Sequence, residues 1–134
     1  MSILFLKVWD GKMKKLILMS LMACSLMVST ANAFDMKHLG KFKITFYCPC
    51  KKCSGNWGHK TSSGAYATEG RTVAVDKGVI PHGTKLYIEG YGEFVAEDTG
   101  GGVKGKHIDV FLEDHNRCLD DAHGEKYREV YILK

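Results

Sequence analysis

Residues 34–134 predict an all-β domain, closed into a small barrel, with one short helix. Three observations carry this. Six short runs alternate apolar with polar residues or are rich in β-branched and aromatic side chains, the pattern of strands. No segment has the length and period of a helix able to cover a parallel sheet. So many short strands in about a hundred residues leave exposed edges unless the sheet closes on itself.

The elements follow in chain order. KFKITFY (41–47) sets Phe42, Ile44 and Phe46 against Lys41, Lys43 and Thr45, so one face is apolar. TVAVD (72–76), TKLYIEG (84–90), EFVAED (93–98), HIDVFLE (107–113) and KYREVYILK (126–134) supply the other five strands. The helix candidate runs from Asp114 to Asp121, with Asp114 as a possible N-cap. Between the first two strands lies a long Cys/Gly-rich loop, CPCKKCSGNWGHKTSSGAYATEG (48–70). Loops of that length inside a compact domain are usually functional or disordered. Trp57 and Tyr66 argue for order: their flat faces either stack on a ligand or cover one end of the barrel.

Residues 1–33 are expected to be removed. From Met13 the chain reads MKKLILMSLMACSLMVSTANA, a basic start, a short apolar run and an Ala31-Asn32-Ala33 ending, the parts of a secretory signal peptide. Residues 1–12 then form an upstream extension, cleavage falls near Ala33, and the mature chain is secreted or held at the cell wall. The competing pattern is Leu21-Met22-Ala23-Cys24, which loosely resembles a site cut before a lipidated cysteine. The apolar run is too short to favour a spanning helix, so no stable membrane insertion is expected after cleavage. The whole chain carries a net charge of +4; without Lys7, Asp10, Lys12, Lys14 and Lys15, fifteen bases face fourteen acids, or +1. No basic stripe survives to make nucleic acid a partner.

Asp is depleted in strands, yet Asp109 sits inside HIDVFLE. Alternation puts Ile108, Val110 and Leu112 on one face and Asp109 and Phe111 on the other. Asp98 ends the preceding strand and Asp76 ends TVAVD, so three β-elements each deliver an aspartate. Carboxylates converging in one cleft would repel each other and raise the pKa of at least one, as a general acid requires. The Asp98-Thr99-Gly100 triplet also occurs in aspartic proteases. Glu97 and Gly101 flank it where those enzymes carry an apolar residue and a small one, and their apolar-apolar-glycine element is not recognisable.

TVAVD followed by AEDTGGGVKGKHIDVF resembles the signature of the three-aspartate (3D) domain shared with MltA-type lytic transglycosylases. Asp76 to Asp98 is 22 positions and Asp98 to Asp109 is 11, and IPHGTKLYIEGYG (80–92) and the terminal KYREVYILK are similar to small secreted members. The resemblance covers about residues 42–134. It implies a six-stranded double-psi β-barrel that cuts the MurNAc-β-1,4-GlcNAc bond of peptidoglycan by attack of the muramyl 6-hydroxyl, leaving 1,6-anhydroMurNAc. By position, Asp109 matches the family's acid/base, Asp98 and Asp76 its two supporting aspartates, and Thr99, Gly100 and Gly101 the turn lining the saccharide groove.

That chemistry suits a site with one principal carboxyl. Ordinary glycosidases need two, one for the leaving oxygen and one for water or the anomeric carbon. An intramolecular nucleophile needs no positioned water, so one acid protonates the leaving oxygen and its carboxylate then takes the hydroxyl proton. The expectation is a monomer acting on glycan strands without a cofactor. The alternative is a non-catalytic, expansin-like module that binds wall carbohydrate, since a fold does not settle function.

Cys48, Cys50, Cys53 and Cys118 remain after cleavage. In a secreted chain they predict disulfides or free thiols that pin the long loop, with one cluster member reaching Cys118. No metal site is expected, although Cys50-x-x-Cys53 has zinc-ligand spacing. The rival is therefore zinc on Cys48, Cys50 and Cys53 with His59 or Cys118. The other histidines make no ligand motif. His107 is singled out because alternation can place it on the face of Asp109.

Overall fold

The computed structural model describes residues 35–120 and 123–134. The secretion reading of residues 1–33 lies outside them. Among the described residues six strands make up most of the regular secondary structure: β1 (Met36–Tyr47), β2 (Thr72–Val75), β3 (Lys85–Ile88), β4 (Gly92–Asp98), β5 (His107–Phe111) and β6 (Lys126–Leu133). Among the described residues, two four-residue helices, α1 (Lys51–Ser54) and α2 (His115–Cys118), accompany them. All six expected strands are present. The expected helix is shorter than its sequence candidate, but Asp114 does cap it, accepting a hydrogen bond from the Asn116 backbone. Sequence reading missed α1, which has no apolar period to reveal it.

The strands hydrogen-bond in the order β1-β5-β2-β4-β3-β6 and close, because β6 pairs back onto β1. Two of the six pairings are parallel, β1 with β5 and β2 with β4; the other four are antiparallel. β1 is long enough to serve both neighbours because it bends. Its register on β6 shifts between His38 and Gly40, and Gly40 takes φ +91°, a conformation that side-chain-bearing residues rarely adopt.

Alternation builds the core. Phe42 and Ile44 of β1, Val73 and Val75 of β2, Leu86 and Ile88 of β3, and Ile108 and Val110 of β5 all turn inward and are buried. β4 and β6 add Phe94, Ala96 and Val130. The residues between them, Thr45 and Tyr47 on β1, Ala74 on β2, and His107, Asp109 and Phe111 on β5, therefore face outward. Phe111 is nonetheless fully buried. The loop after β1 folds over part of that outer face and lays the His59 ring 5.5 Å from Phe111.

The loop is fastened by specific bonds. Ser63 N–H donates to the Glu97 carbonyl, His59 Nε2 lies 2.9 Å from Glu113 Oε2, and Glu113 N–H donates to Glu69 Oε2 at 2.9 Å. Glu97 itself is a buried carboxylate held by Arg71 Nε at 2.9 Å and Thr72 Oγ1 at 2.9 Å. Burial alone would raise its pKa, but hydrogen bonds from Arg71 and Thr72 outweigh burial and hold it below the usual carboxylate range. Among the described residues no helix is long and apolar enough to cross a membrane.

Candidate functional site

A cavity of about 390 Å³ opens between the loop and the outer face of β1, β5, β2 and β4. Asp109 and Asp98 both line it, with Ala74 and Tyr47 beside them. Their convergence is a matter of register. β2 lies between β4 and β5, and Ala74 pairs with Asp109 on one side and Asp98 on the other. Regular pairing from Val73–Ala96 would set Glu97 opposite Ala74. A one-residue shift between Val73 and Ala74 brings Asp98 there instead. Such bulges re-aim side chains beside sites. Ala74, whose small side chain leaves room between the two carboxylates, was not found from sequence.

Asp109 is partly buried, and its Oδ1 accepts a hydrogen bond from Thr45 Oγ1 at 2.9 Å, its cross-strand neighbour on β1. Its pKa is pushed up to about 6. Burial is the main cause; the Thr45 hydrogen bond and His107 oppose it, and repulsion from Asp98 adds the least. Repulsion between carboxylates, the cause expected from the sequence, is thus the smallest contribution and burial the largest. The raised value also carries a stability cost. A carboxyl that binds its proton more tightly folded than unfolded stabilises the fold below its unfolded pKa, and that contribution is lost as pH rises through about 6.

Thr45 links Asp109 to His107. Its Oγ1 lies 2.8 Å from His107 Nε2, and His107 Nδ1 lies 3.1 Å from the Gly102 carbonyl. A carbonyl only accepts, so Nδ1 carries a proton. The threonine hydroxyl has one proton to give. That proton goes to Asp109 Oδ1. Thr45 thus bridges the Asp109 carboxyl to the His107 ring. His107 was marked from alternation, whereas Thr45 was missed because a strand threonine has no distinguishing signal.

Asp98 is set up differently. Tyr47 Oη donates to its Oδ2 at 2.8 Å, and the N–H groups of Ser62 and Thr99 donate to Oδ1 at 3.0 and 2.8 Å. Three donors on its two oxygens fix the side chain in one orientation. Burial and the Asp98 charge together push the Tyr47 hydroxyl upward, so it remains a donor. Asp98 consequently ties β1, the loop and the turn after β4 to one point.

Asp76 does not join them. It lies outside the cavity lining and accepts from Gly105 N–H at 2.9 Å and Gly78 N–H at 3.0 Å. Those two bonds hold its pKa below the usual range, with the Gly105 bond the larger cause. The expectation of three aspartates converging in one cleft is therefore corrected: two converge, and the third anchors the turn that leads into β5. Thr99, Gly100 and Gly101 do line the cavity. At Gly100 a Cβ would come within 2.9 Å of Val103 Cγ2, so glycine is needed for close packing.

On the loop side, Trp57 lines the cavity and is 70% exposed, a free flat face at its mouth. Tyr66 stacks on the His59 ring, 4.5 Å between centroids with the planes nearly parallel. His59 also bonds Glu113 through Nε2 at 2.9 Å. It is thus not the fourth partner of the cysteine cluster. That place belongs to His115, whose Nδ1 lies beside Cys48, Cys50 and Cys53. The four cysteines Cys48, Cys50, Cys53 and Cys118 are free, so the expected bridge to Cys118 is not formed.

The chain's similarities lie with cell-wall proteins. The 3D domain family matches residues 71–134. YocH of Bacillus subtilis (strain 168), a cell wall-binding protein, is 60% identical over 42 residues, 31% of this chain and 15% of YocH. YabE of the same organism, named for a role in cell wall shaping, is 35% identical over 109 residues, 79% of this chain and 25% of YabE. This chain spans a quarter or less of the length of both. A variant of the Escherichia coli lytic transglycosylase MltA is 27% identical with a TM-score of 0.50, over 56% of this chain and 27% of MltA. The signature around the aspartates, the six-stranded β fold and these similarities agree: the chain is a 3D-domain protein, related to the MltA-type lytic transglycosylases.

Proposed function

We propose that this domain is a secreted lytic transglycosylase that binds peptidoglycan glycan strands and breaks the MurNAc-β-1,4-GlcNAc bond by intramolecular attack. The observation that carries the reading is Asp109, a rigid strand-borne carboxyl with its pKa pushed up to about 6 at the cavity wall. Trp57 supplies a stacking face for a sugar ring. Asp109 donates its proton to the glycosidic oxygen as that bond breaks. The muramyl 6-hydroxyl attacks C1, and its proton passes to the Asp109 carboxylate, which restores the acid. Thr45, itself bonded to His107, holds the carboxyl in place. Asp98 fixes the cavity wall, Asp76 sets the approach of β5, and Thr99, Gly100 and Gly101 border the glycan. The closed strand order is compatible with the double-psi arrangement, which belongs to the same reading, as does action as a monomer.

Mass spectrometry of peptidoglycan incubated with the purified protein tests this. Products with 1,6-anhydroMurNAc ends are expected, and cleavage should decline as pH rises through about 6, because the acid form does the first step. Reducing ends would make water the nucleophile and require a second carboxylate. The second reading is a wall-binding module, favoured by the 60% identity to YocH over 42 residues. Protein that co-sediments with cell walls and releases no fragments would establish it. Secretion belongs to the proposal as well: intact-mass measurement of the exported protein should show a chain starting at Phe34. A mature N-terminus at lipidated Cys24 would overturn that part.

A further inference from the structure

Three cysteine sulfurs surround one imidazole nitrogen. Cys48 follows β1, Cys50 caps α1, Cys53 lies within α1, and His115 opens α2. His115 Nδ1 is 3.5 Å from Cys48 Sγ, 3.5 Å from Cys50 Sγ and 3.4 Å from Cys53 Sγ. All four atoms lie within 4.8 Å of one another. Hydrogen bonding does not account for this grouping, because a ring nitrogen offers one proton or one lone pair to three sulfurs at equal range. Disulfide pairing does not either, since the sulfurs converge on the nitrogen and the cysteines are free.

A tetrahedral ion does account for it. Zinc with bonds of about 2.3 Å to sulfur and 2.0–2.1 Å to nitrogen places ligand sulfur and nitrogen roughly 3.6 Å apart along the edge of its tetrahedron. The observed separations match that edge. We propose that Cys48, Cys50, Cys53 and His115 form a structural zinc site, which the loop spacing alone did not disclose. Three thiolates and an imidazole are a soft, tetrahedral set that selects zinc over calcium or magnesium. Four protein ligands leave no position for a metal-bound water, so the ion builds structure and does no chemistry.

The local structure needs such a clamp. α1 has four residues, no side-chain cap and no buried residue, so neither propensity nor packing holds it. The same segment contributes Cys53, Ser54 and Trp57 to the cavity wall facing Asp109 and Asp98. Zinc would join the end of β1, α1 and α2 at one point and fix that wall. This inference does not depend on whether the cavity cleaves glycans or only binds them.

Metal analysis of the purified protein, prepared under reducing conditions, is the test. One zinc per chain is expected, and cobalt(II) in its place should give thiolate charge-transfer bands and the intense visible absorption of a tetrahedral ion. Cys53→Ser and His115→Ala alter positions outside the core and should both fold. Each should weaken zinc binding by more than the roughly 10–100-fold that losing an outer-shell partner costs. His59→Ala and Cys118→Ser should retain the metal. Zinc-free protein that binds no zinc, or wild-type affinity in His115→Ala, would overturn the site. Loss of zinc in His59→Ala with its retention in His115→Ala would move the fourth ligand back to His59 and overturn it equally.

Discussion

Asp109→Asn is expected to fold, to bind cell-wall glycan, and to lose roughly 10²-fold or more in bond cleavage, the scale of an acid/base group. Asparagine has nearly the shape of aspartate and its carbonyl still accepts from Thr45, so the hydrogen bond at 2.9 Å has a replacement. What it lacks is a proton to donate at pH values near 6. The stability consequence runs the opposite way. The native carboxyl, with its pKa raised by burial, disfavours the fold once it ionises; a neutral amide does not. Above pH 6 the variant should therefore be at least as stable as the parent, while below the unfolded pKa the difference should vanish. Cleavage assays at several pH values beside denaturant titrations check both halves. Undiminished cleavage would remove Asp109 from the mechanism, and a large loss of stability above pH 6 would show that the carboxylate is structural.

Phe111→Ala is expected to cost about 3–5 kcal/mol, the range for emptying a buried phenylalanine site. Phe111 is fully buried although it points away from the barrel core. Its ring sits 5.3 Å from Tyr47, edge to face, and 5.5 Å from His59, so it joins β5 to β1 and to the loop. Thermal unfolding should show a fall of more than about 10 °C for a domain of this size. The loss should also reach the site, because Tyr47 packs on Phe111 and donates to Asp98. Phe111→Leu should restore much of the stability and less of the alignment. A loss below about 1 kcal/mol would show that the loop does not pack on this face.

Much of the fold was legible in the sequence because strand periodicity is local. Phe42 and Ile44, or Ile108 and Val110, declare an inward face within a few residues, and Asp109 between the latter two declares an outward one. Phe111 misled in part: its outward direction was readable, but its burial depends on a loop more than forty positions earlier in the chain. The candidate site was legible where a residue type was unusual for its position. Asp109 was unusual in a strand, and Asp98 beside three glycines marked a turn. Thr45 and Ala74 were invisible for the opposite reason, since threonine and alanine are unremarkable where they stand.

By itself the sequence determined six strands, the inward faces of β1 and β5, the cap at Asp114 and the 3D signature, all properties of short segments. Only the tertiary structure decided which of those segments meet. The one-residue shift between β2 and β4 puts Asp98, in place of Glu97, opposite Ala74. Parallel pairing of β1 with β5 sets Thr45 against Asp109, and Asp76 is drawn off to anchor Gly105. The cysteine cluster found His115 rather than His59, 62 positions beyond Cys53. Register, closure and ligand convergence share one physical cause: each is fixed by the best simultaneous packing of several distant elements, and no single segment carries that information.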